Sequence, residues 1–254
     1  MRALLLILAA SSALPAHEYF EGFDVPGKPA ARDGIAWSYT AELSPAGWET
    51  LVPGDGYAHL SVDRAALKDH PDGNRWPFQT LSLGPVTSNN RISIRAKNTA
   101  IPGVACLVFA YREKKSVDEI DIEIVADDTG GPLAGHRKGQ DGGWTDVRLN
   151  TWANASADTL LPTRSIRKPI HDAQGRKISH QNGRFHIYTI EWKAEVVRFY
   201  IDDVLQAAID DVTPDCPLTV IFGIRQMPWA GTPDWPGRQT MLVDWIDIEP
   251  LRAE

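Results

Sequence analysis

Between Val117 and Val125 the chain reads V-D-E-I-D-I-E-I-V, so acidic and branched apolar side chains alternate. Successive side chains of a β-strand point to opposite faces, so a strand here places Glu119, Asp121 and Glu123 on one face and isoleucines on the other. Like charges in file repel one another, and Asp and Glu are poor strand formers. The pattern predicts a core strand whose second face carries acids at a cost, which is easiest to understand if a function needs them.

The remainder of the chain is built from short β-branched or aromatic segments separated by Gly, Pro and Asp. Such segments predict strands at 57–62, 79–83, 91–96, 104–111, 118–125, 145–149, 185–192, 196–201, 205–209, 218–224 and 240–248. We find no long segment of helical period and no internal repeat. Many short strands joined by turns predict an all-β, two-sheet antiparallel sandwich. The polar stretches 126–143 and 161–183 are predicted to be surface loops.

The first sixteen residues have the layout of a secretory signal peptide. A positive charge at Arg2 precedes an apolar run at 3–10, and small residues end at Ala13 or Ala16. The apolar run is short for a membrane span. The sequence therefore predicts a signal peptide at 1–16, a single catalytic domain at 17–254, and a secreted or periplasmic protein.

The composition narrows the range of partners. The formal net charge is −7 and no basic stripe is present, which argues against binding to nucleic acid or to an anionic membrane. Nine Trp and six Tyr suit stacking on sugar rings, with core packing an equal alternative for each Trp. Cys106 and Cys216 leave a disulfide and a buried free thiol both open. His171, His180 and His186 lack a metal-binding spacing and are expected to be solvated.

Glycoside hydrolysis needs two carboxyl groups beside the scissile bond, one protonated and one ionised. Along one strand the Cα atoms of Glu119 and Glu123 would be about 13 Å apart. Their side chains could bring the carboxyl groups to the ~5 to 5.5 Å of a retaining pair or leave the ~6.5 to 9.5 Å of an inverting pair. Asp121 between them favours unequal titration. Two alternatives stay open: the solvated face of an ordinary strand, and a calcium site shared with Asp127 and Asp128.

The motif 119–123, preceded by Asp118, resembles the signature of glycoside hydrolase family 16 in its compact, lichenase-like form. The segments 185–192, 197–202, 227–231 and 243–246 also resemble parts of that family, so the similarity covers about 91–249. The resemblance implies that Glu119 is the nucleophile, Glu123 the general acid/base and Asp121 the assistant that hydrogen bonds the nucleophile. It also implies a retaining mechanism and a concanavalin A-like β-jelly-roll sandwich with a concave substrate cleft.

The same resemblance suggests which aromatic residues line the sugar subsites, namely Tyr111, Trp192, Trp229, Trp76 and Trp152. Trp245, by contrast, sits among apolar residues and is expected in the core. The chemistry needs no cofactor.

Asp244 matches the position where lichenases place a carboxylate on a structural calcium ion remote from the active site. The expected calcium site rests on Asp244 alone.

Two departures from the lichenases concern the substrate: Ile124 replaces an aromatic residue, and the segment 150–154 replaces a Tyr-rich stretch that contacts glucan.

The sequence thus predicts a retaining endo-acting β-glycoside hydrolase acting on a β-linked polysaccharide, with β-1,3-1,4-glucan as the first expectation. A transglycosylase on β-glucan and a non-catalytic polysaccharide-binding sandwich are the alternatives. The presence of all three acids argues against the non-catalytic alternative. We expect a monomer, because a single cleft can hydrolyse a polymer without a partner.

Overall fold

The computed structural model describes residues 19–32, 34–43, 45–63, 76–99, 101–113, 116–125, 144–156, 162–180, 183–231 and 237–251. The predicted signal peptide at 1–16 and the predicted loop at 126–143, with Asp127 and Asp128, lie outside these residues. The strands, in chain order, are β1 (Tyr19–Glu21), β2 (Ala36–Glu42), β3 (Ala58–Asp63), β4 (Phe78–Val86), β5 (Asn90–Lys97), β6 (Val104–Glu113), β7 (Ser116–Val125), β8 (Asp146–Ser156), β9 (Arg164–Pro169), β10 (His186–Trp192), β11 (Val197–Ile201), β12 (Val204–Ile209), β13 (Leu218–Gln226) and β14 (Arg238–Pro250). Helical structure in the described residues is limited to α1 (Trp48–Leu51) and a 3₁₀ helix at Pro228–Ala230.

The strands form two antiparallel sheets of seven strands each. One sheet, here called the acidic sheet because it contains the three acids, has the order β2-β4-β13-β6-β7-β8-β9. The opposite sheet has the order β1-β14-β5-β10-β11-β12, with β3 also paired to β14. This arrangement confirms the predicted two-sheet sandwich, and it places β7 inside its sheet with a hydrogen-bonded strand on either side.

The hydrophobic core lies between the two sheets and fixes the orientation of β7. Ile120, Ile122 and Ile124 all belong to the main core cluster and are essentially inaccessible to solvent. Burying one such side chain contributes about 1.5–3 kcal/mol. A one-residue slip of β7 would exchange this face with the acidic one, so the isoleucines determine which face the acids occupy.

Every predicted strand is present, with shifts at the ends, but β1, β2 and β9 were not predicted. The stretch 161–183, predicted to be a loop, contains β9. This strand lies at the edge of the acidic sheet and most of its residues are half-exposed. Edge strands rich in Arg and Lys lack the apolar alternation on which strand prediction depends.

Two tryptophan predictions are wrong, in opposite directions. Trp192 on β10 is 0% exposed and lies in the core, where its indole N–H donates to the carbonyl of Pro214 at 3.1 Å. It therefore does not line sugar subsites, because β10 is in the opposite sheet and its pleat points the ring inward. Trp245, expected in the core, is half-buried and contacts Phe20 with ring centroids 6.3 Å apart. A register shift between Val243 and Trp245 turns its side chain outward.

The two cysteines are free thiols. Cys106 is buried, and burial raises the pKa of its thiol to about 12. Among the described residues, no helix has the length and apolarity needed to span a bilayer.

Candidate active site

The three acids of β7 lie on the outer face of the acidic sheet, the face turned away from the core. In the register with β6, Glu119 is opposite Tyr111 and Glu123 is opposite Leu107. Asp121 lies between the two glutamates and is only 5% exposed. The sequence prediction that one strand face collects all three carboxyl groups is therefore met in the structure.

Strand β8 supplies the polar groups beside the acids. Asn150 is opposite Asp121, and its side-chain amide donates to Asp121 Oδ2 at 3.1 Å and to Glu123 Oε2 at 3.2 Å. Asp121 also shares a side-chain hydrogen bond with Glu119. A chain of hydrogen bonds thus joins Glu119, Asp121, Asn150 and Glu123, which restricts the orientations of both glutamates.

Burial dominates the titration of this cluster. It raises the pKa of Glu119 to about 7, and the charge of Glu123 adds to the effect. It raises the pKa of Glu123 to about 8, with a further contribution from Asp121. The pKa of Asp121 is also well above its ordinary value, through burial and the neighbouring Glu119. Because each negative charge in the cluster disfavours the next one, the cluster can hold a carboxylate and a carboxylic acid together near neutral pH.

Two arginines share the outer face with the acids. Arg148 is directly opposite Glu123 on β8, and its charge lowers the pKa of Glu123. Arg225 on β13 interacts electrostatically with all three acids, and burial lowers the pKa of its own guanidinium. The buried atoms Asn150 Oδ1 and Arg225 Nε have no hydrogen-bond partner within the described structure.

Sequence reasoning missed Asn150, Arg148 and Arg225 as site residues. Arg148 did carry a local signal, since it alternates with the apolar Val147 and Leu149 in a predicted strand. Arg225 follows the predicted strand 218–224 without any such pattern. Their approach to the acids depends on strand pairing, which the sequence pattern does not specify.

Of the aromatic residues predicted to line subsites, three lie near the acids. Tyr111 and Trp152 lie opposite Glu119, on β6 and β8 respectively. Trp229, in the 3₁₀ helix after β13, packs with Leu107 in a small apolar cluster and has Arg148 above its ring at 3.8 Å. Trp76 is half-buried just before β4, three strand spacings or about 14 Å from β7. Trp192 is in the core, as described above.

The expected calcium site at Asp244 stays a prediction. Its carboxylate lies on β14, in the opposite sheet, and is paired with the guanidinium of Arg95. The groups of potential metal ligands found among the described residues do not include it.

His180, His186 and Asp202 form one cluster of potential metal ligands among the described residues. His180 and His186 are buried, contrary to the expectation that they are solvated, and their rings stack with centroids 3.8 Å apart and planes 8° apart. His180 pairs with the Tyr188 hydroxyl, and burial lowers its pKa to about 3. The nitrogen lone pairs lie in the ring planes, so two parallel rings cannot both point at one ion. The geometry is that of a packed imidazole pair.

A second cluster joins Asp118, Asp215 and Cys216. Asp118 is fully buried and already satisfied by Arg112 at 2.6 Å and by the backbone N–H of Asn154 at 2.9 Å. Burial raises the pKa of the Cys216 thiol, which disfavours the thiolate that a metal requires. This group is a structural ion pair at one end of β7.

The chain is similar in sequence to a known protein family. The sequence model "Glycosyl hydrolases family 16" matches residues 87–247, which is more than half of the chain and includes all three acids. No curated protein sequence matches the chain significantly.

Solved structures share the fold across nearly the whole chain. A β-1,3-1,4-glucanase (lichenase) derived from a mouse hindgut metagenome is 19% identical, with 91% of this chain and 98% of that chain covered and a TM-score of 0.64. The apo Crh5 transglycosylase is 21% identical, with coverages of 94% and 86% and a TM-score of 0.59. Rv0315 of Mycobacterium tuberculosis, described as an immunostimulatory antigen and pseudo β-1,3-glucanase, is 14% identical, with coverages of 92% and 98% and a TM-score of 0.60. These likenesses confirm the predicted jelly-roll sandwich.

Proposed function

The chain belongs to glycosyl hydrolase family 16, and on that premise we propose that it is a retaining endo-acting β-glycoside hydrolase. The single observation that carries the proposal is the arrangement of Glu119, Asp121 and Glu123 on the outer face of one strand, with Asp121 buried and joined to Glu123 through Asn150. Bringing three acids together in a partly buried site is costly. That cost is expected where a protonated and an ionised carboxyl group must act on the same bond.

The proposed reaction proceeds in two steps. Glu123 first gives its proton to the glycosidic oxygen while the Glu119 carboxylate attacks the anomeric carbon, so the bond to the leaving sugar breaks and a glycosyl ester forms. Glu123, now ionised, then takes a proton from a water molecule that attacks the same carbon and releases Glu119. Two inversions give net retention. The hydrogen bond between Asp121 and Glu119 supports this division of roles, because it suits an assistant beside the nucleophile.

We propose β-1,3-1,4-glucan as the substrate to test first. Tyr111, Trp152 and Trp229 surround the acids and Trp76 lies farther along the same sheet, so sugar rings could stack on several of them. The unpaired Asn150 Oδ1 could accept a hydrogen bond from a sugar hydroxyl. The proposal includes action outside the cytoplasm by a monomer that needs no cofactor for its chemistry.

The test is release of reducing ends from a panel of β-glucans by wild type, Glu119→Ala and Glu123→Ala. Glu195→Ala, which changes an exposed carboxylate in the turn between β10 and β11, is the matched control. Wild type and the control should cleave, and the two active-site variants should lose about 100-fold or more in rate. Full activity in either variant would refute the assigned roles.

Two further measurements separate the alternatives. Proton NMR of the first product should show the β-anomer, and an initial α-anomer would rule out retention. Products longer than the substrate would show that a sugar hydroxyl replaces water, as in a transglycosylase. Binding to glucan without cleavage of any polymer would instead favour a non-catalytic sandwich.

A further inference from the structure

Arg148 is enclosed between the proposed acid/base and a tryptophan. It faces Glu123 directly across the β7–β8 pair, a position in which Cβ atoms are about 4.5–5.5 Å apart. The guanidinium carbon lies 3.8 Å from the centroid of the Trp229 ring, and the residue is only 7% exposed. A cation–π contact of this kind is stronger when it is desolvated. Trp229 therefore holds a buried positive charge beside Glu123.

The Trp229 segment is itself anchored, so the support under Arg148 is fixed. The backbone N–H of Met227 donates to the Gly103 carbonyl at 3.0 Å, and the Gly103 N–H donates to the Ala230 carbonyl at 2.6 Å. These bonds tie the 3₁₀ helix to the turn before β6. A charge that cannot move away or become hydrated acts on its neighbour more strongly than one on a mobile exposed side chain.

Several other groups face Glu123, and they differ from Arg148 in which acids they affect. Asp121 and Glu119 approach from its own strand, Asn150 from β8 and Arg225 from β13, while Leu107 on β6 is apolar. Arg225 interacts with all three acids. Arg148 lowers the pKa of Glu123 and is not among the groups that shift the pKa of Glu119. Arg148 therefore acts directly on Glu123, and Glu119 responds through the charge of Glu123.

Building on the function proposed above, we infer that Arg148, held in place by Trp229, is a positioning residue that tunes the acidity of Glu123. In the first step the proton leaves Glu123 for the glycosidic oxygen, and Arg148 stabilises the carboxylate left behind. In the second step the same carboxylate takes a proton from water. Trp229 thus supports the acid/base in addition to being a sugar-stacking candidate.

The experiment compares the pH dependence of kcat/KM for wild type, Arg148→Gln, Arg148→Lys, Trp229→Phe and Trp229→Ala. In Arg148→Gln, Glu123 should hold its proton more tightly. The basic limb of the profile, where kcat/KM falls at high pH, should therefore move up by about one pH unit, and the rate on polysaccharide should fall about tenfold. Arg148→Lys keeps the charge, so its basic limb should stay at the wild-type position. Trp229→Ala should shift the limb in the same direction as Arg148→Gln, and Trp229→Phe should not.

The matched control is Arg167→Gln. Arg167 faces Arg148 on β9, one strand farther from Glu123, and its removal should leave the limb in place. A second substrate separates tuning of the acid from loss of structure. The dinitrophenolate group of a dinitrophenyl β-glycoside leaves without needing a proton from Glu123. If Arg148 acts through Glu123, Arg148→Gln should therefore slow the cleavage of such glycosides less than about threefold. Equal losses on both substrates with an unmoved limb would overturn the inference.

A measurement without substrate keeps this inference distinct from the proposed function. NMR titration of Glu123 labelled with carbon-13 should show a higher pKa in Arg148→Gln than in wild type. If wild type cleaves no glycan, the proposed function fails while the titration still tests the Arg148–Glu123 contact. An unchanged Glu123 pKa in Arg148→Gln would overturn the inference whatever the activity.

Discussion

Replacing Glu123 by glutamine should stabilise the folded protein, and the gain should grow as the pH rises from 5 to 9. Glu123 titrates with a pKa of about 8 in the folded protein, against 4.5 for an ordinary glutamate. Between these two values the unfolded chain releases the proton while the folded protein keeps it. Stability is therefore lost as the pH rises, because the unfolded state binds fewer protons than the native state. Glutamine has no proton to lose and escapes this penalty.

The size of the effect follows from the displacement of the pKa. The difference between about 8 and 4.5 is 3.5 pH units, and at 1.36 kcal/mol per unit it corresponds to about 5 kcal/mol. Glu123 keeps a partial exposure on the outer face of its sheet, which allows some solvent screening. The expected gain at pH 9 is therefore about 2–5 kcal/mol, or at least about 4 °C in Tm for a chain of this length. Near pH 4.5 the gain should almost vanish.

The assay is urea unfolding followed by tryptophan fluorescence at pH 5, 7 and 9. Wild type and Glu123→Gln should diverge with rising pH. Glu195→Gln, the same chemical change at an exposed position in the turn between β10 and β11, should follow wild type throughout. Parallel loss of stability by wild type and Glu123→Gln from pH 5 to 9 would refute the conclusion that burial, more than Arg148 and Arg225, controls this carboxyl group.

Three further predictions concern individual side chains. Asn150→Ala should lower kcat/KM about tenfold, since the amide donates to both Asp121 and Glu123 and each hydrogen bond contributes about 0.5–1.5 kcal/mol. An unchanged rate would show that the amide does not orient the acids. Trp192→Ala should reduce the free energy of unfolding by about 3–5 kcal/mol without raising KM, whereas Trp229→Ala should raise KM with a smaller loss of stability. Denaturation and kinetics that show the reverse pattern would contradict the placement of Trp192 in the core and of Trp229 near the acids. Asp244→Asn should cost less than about 1 kcal/mol, as expected for a partly exposed pair with Arg95, and calcium chelation should leave the Tm of wild type unchanged; a large drop in Tm on chelation would show that calcium binds after all.

Sequence pattern and structure agree most closely where the relevant information is local. The alternation at 117–125 correctly separated the core face from the acidic face, because both follow from the pleat of one strand. The same logic failed at Trp245, where an irregularity in the pairing of β14 with β5 reverses the expected direction of the side chain. It also failed for β9, whose edge position relaxes the requirement for alternating apolar residues.

The sequence by itself determined the fold class, the strand that carries Glu119, Asp121 and Glu123, and their common face. Only the tertiary structure decided which side chains meet those acids: Asn150 and Arg148 reach them through pairing of β7 with β8, and Arg225 arrives from a distant part of the chain, as does Trp229, which packs on Arg148. The physical reason is the separation in sequence between the residues that determine each property. Side-chain alternation is set by neighbouring residues, whereas strand register, burial and the resulting pKa values depend on contacts between segments far apart in sequence.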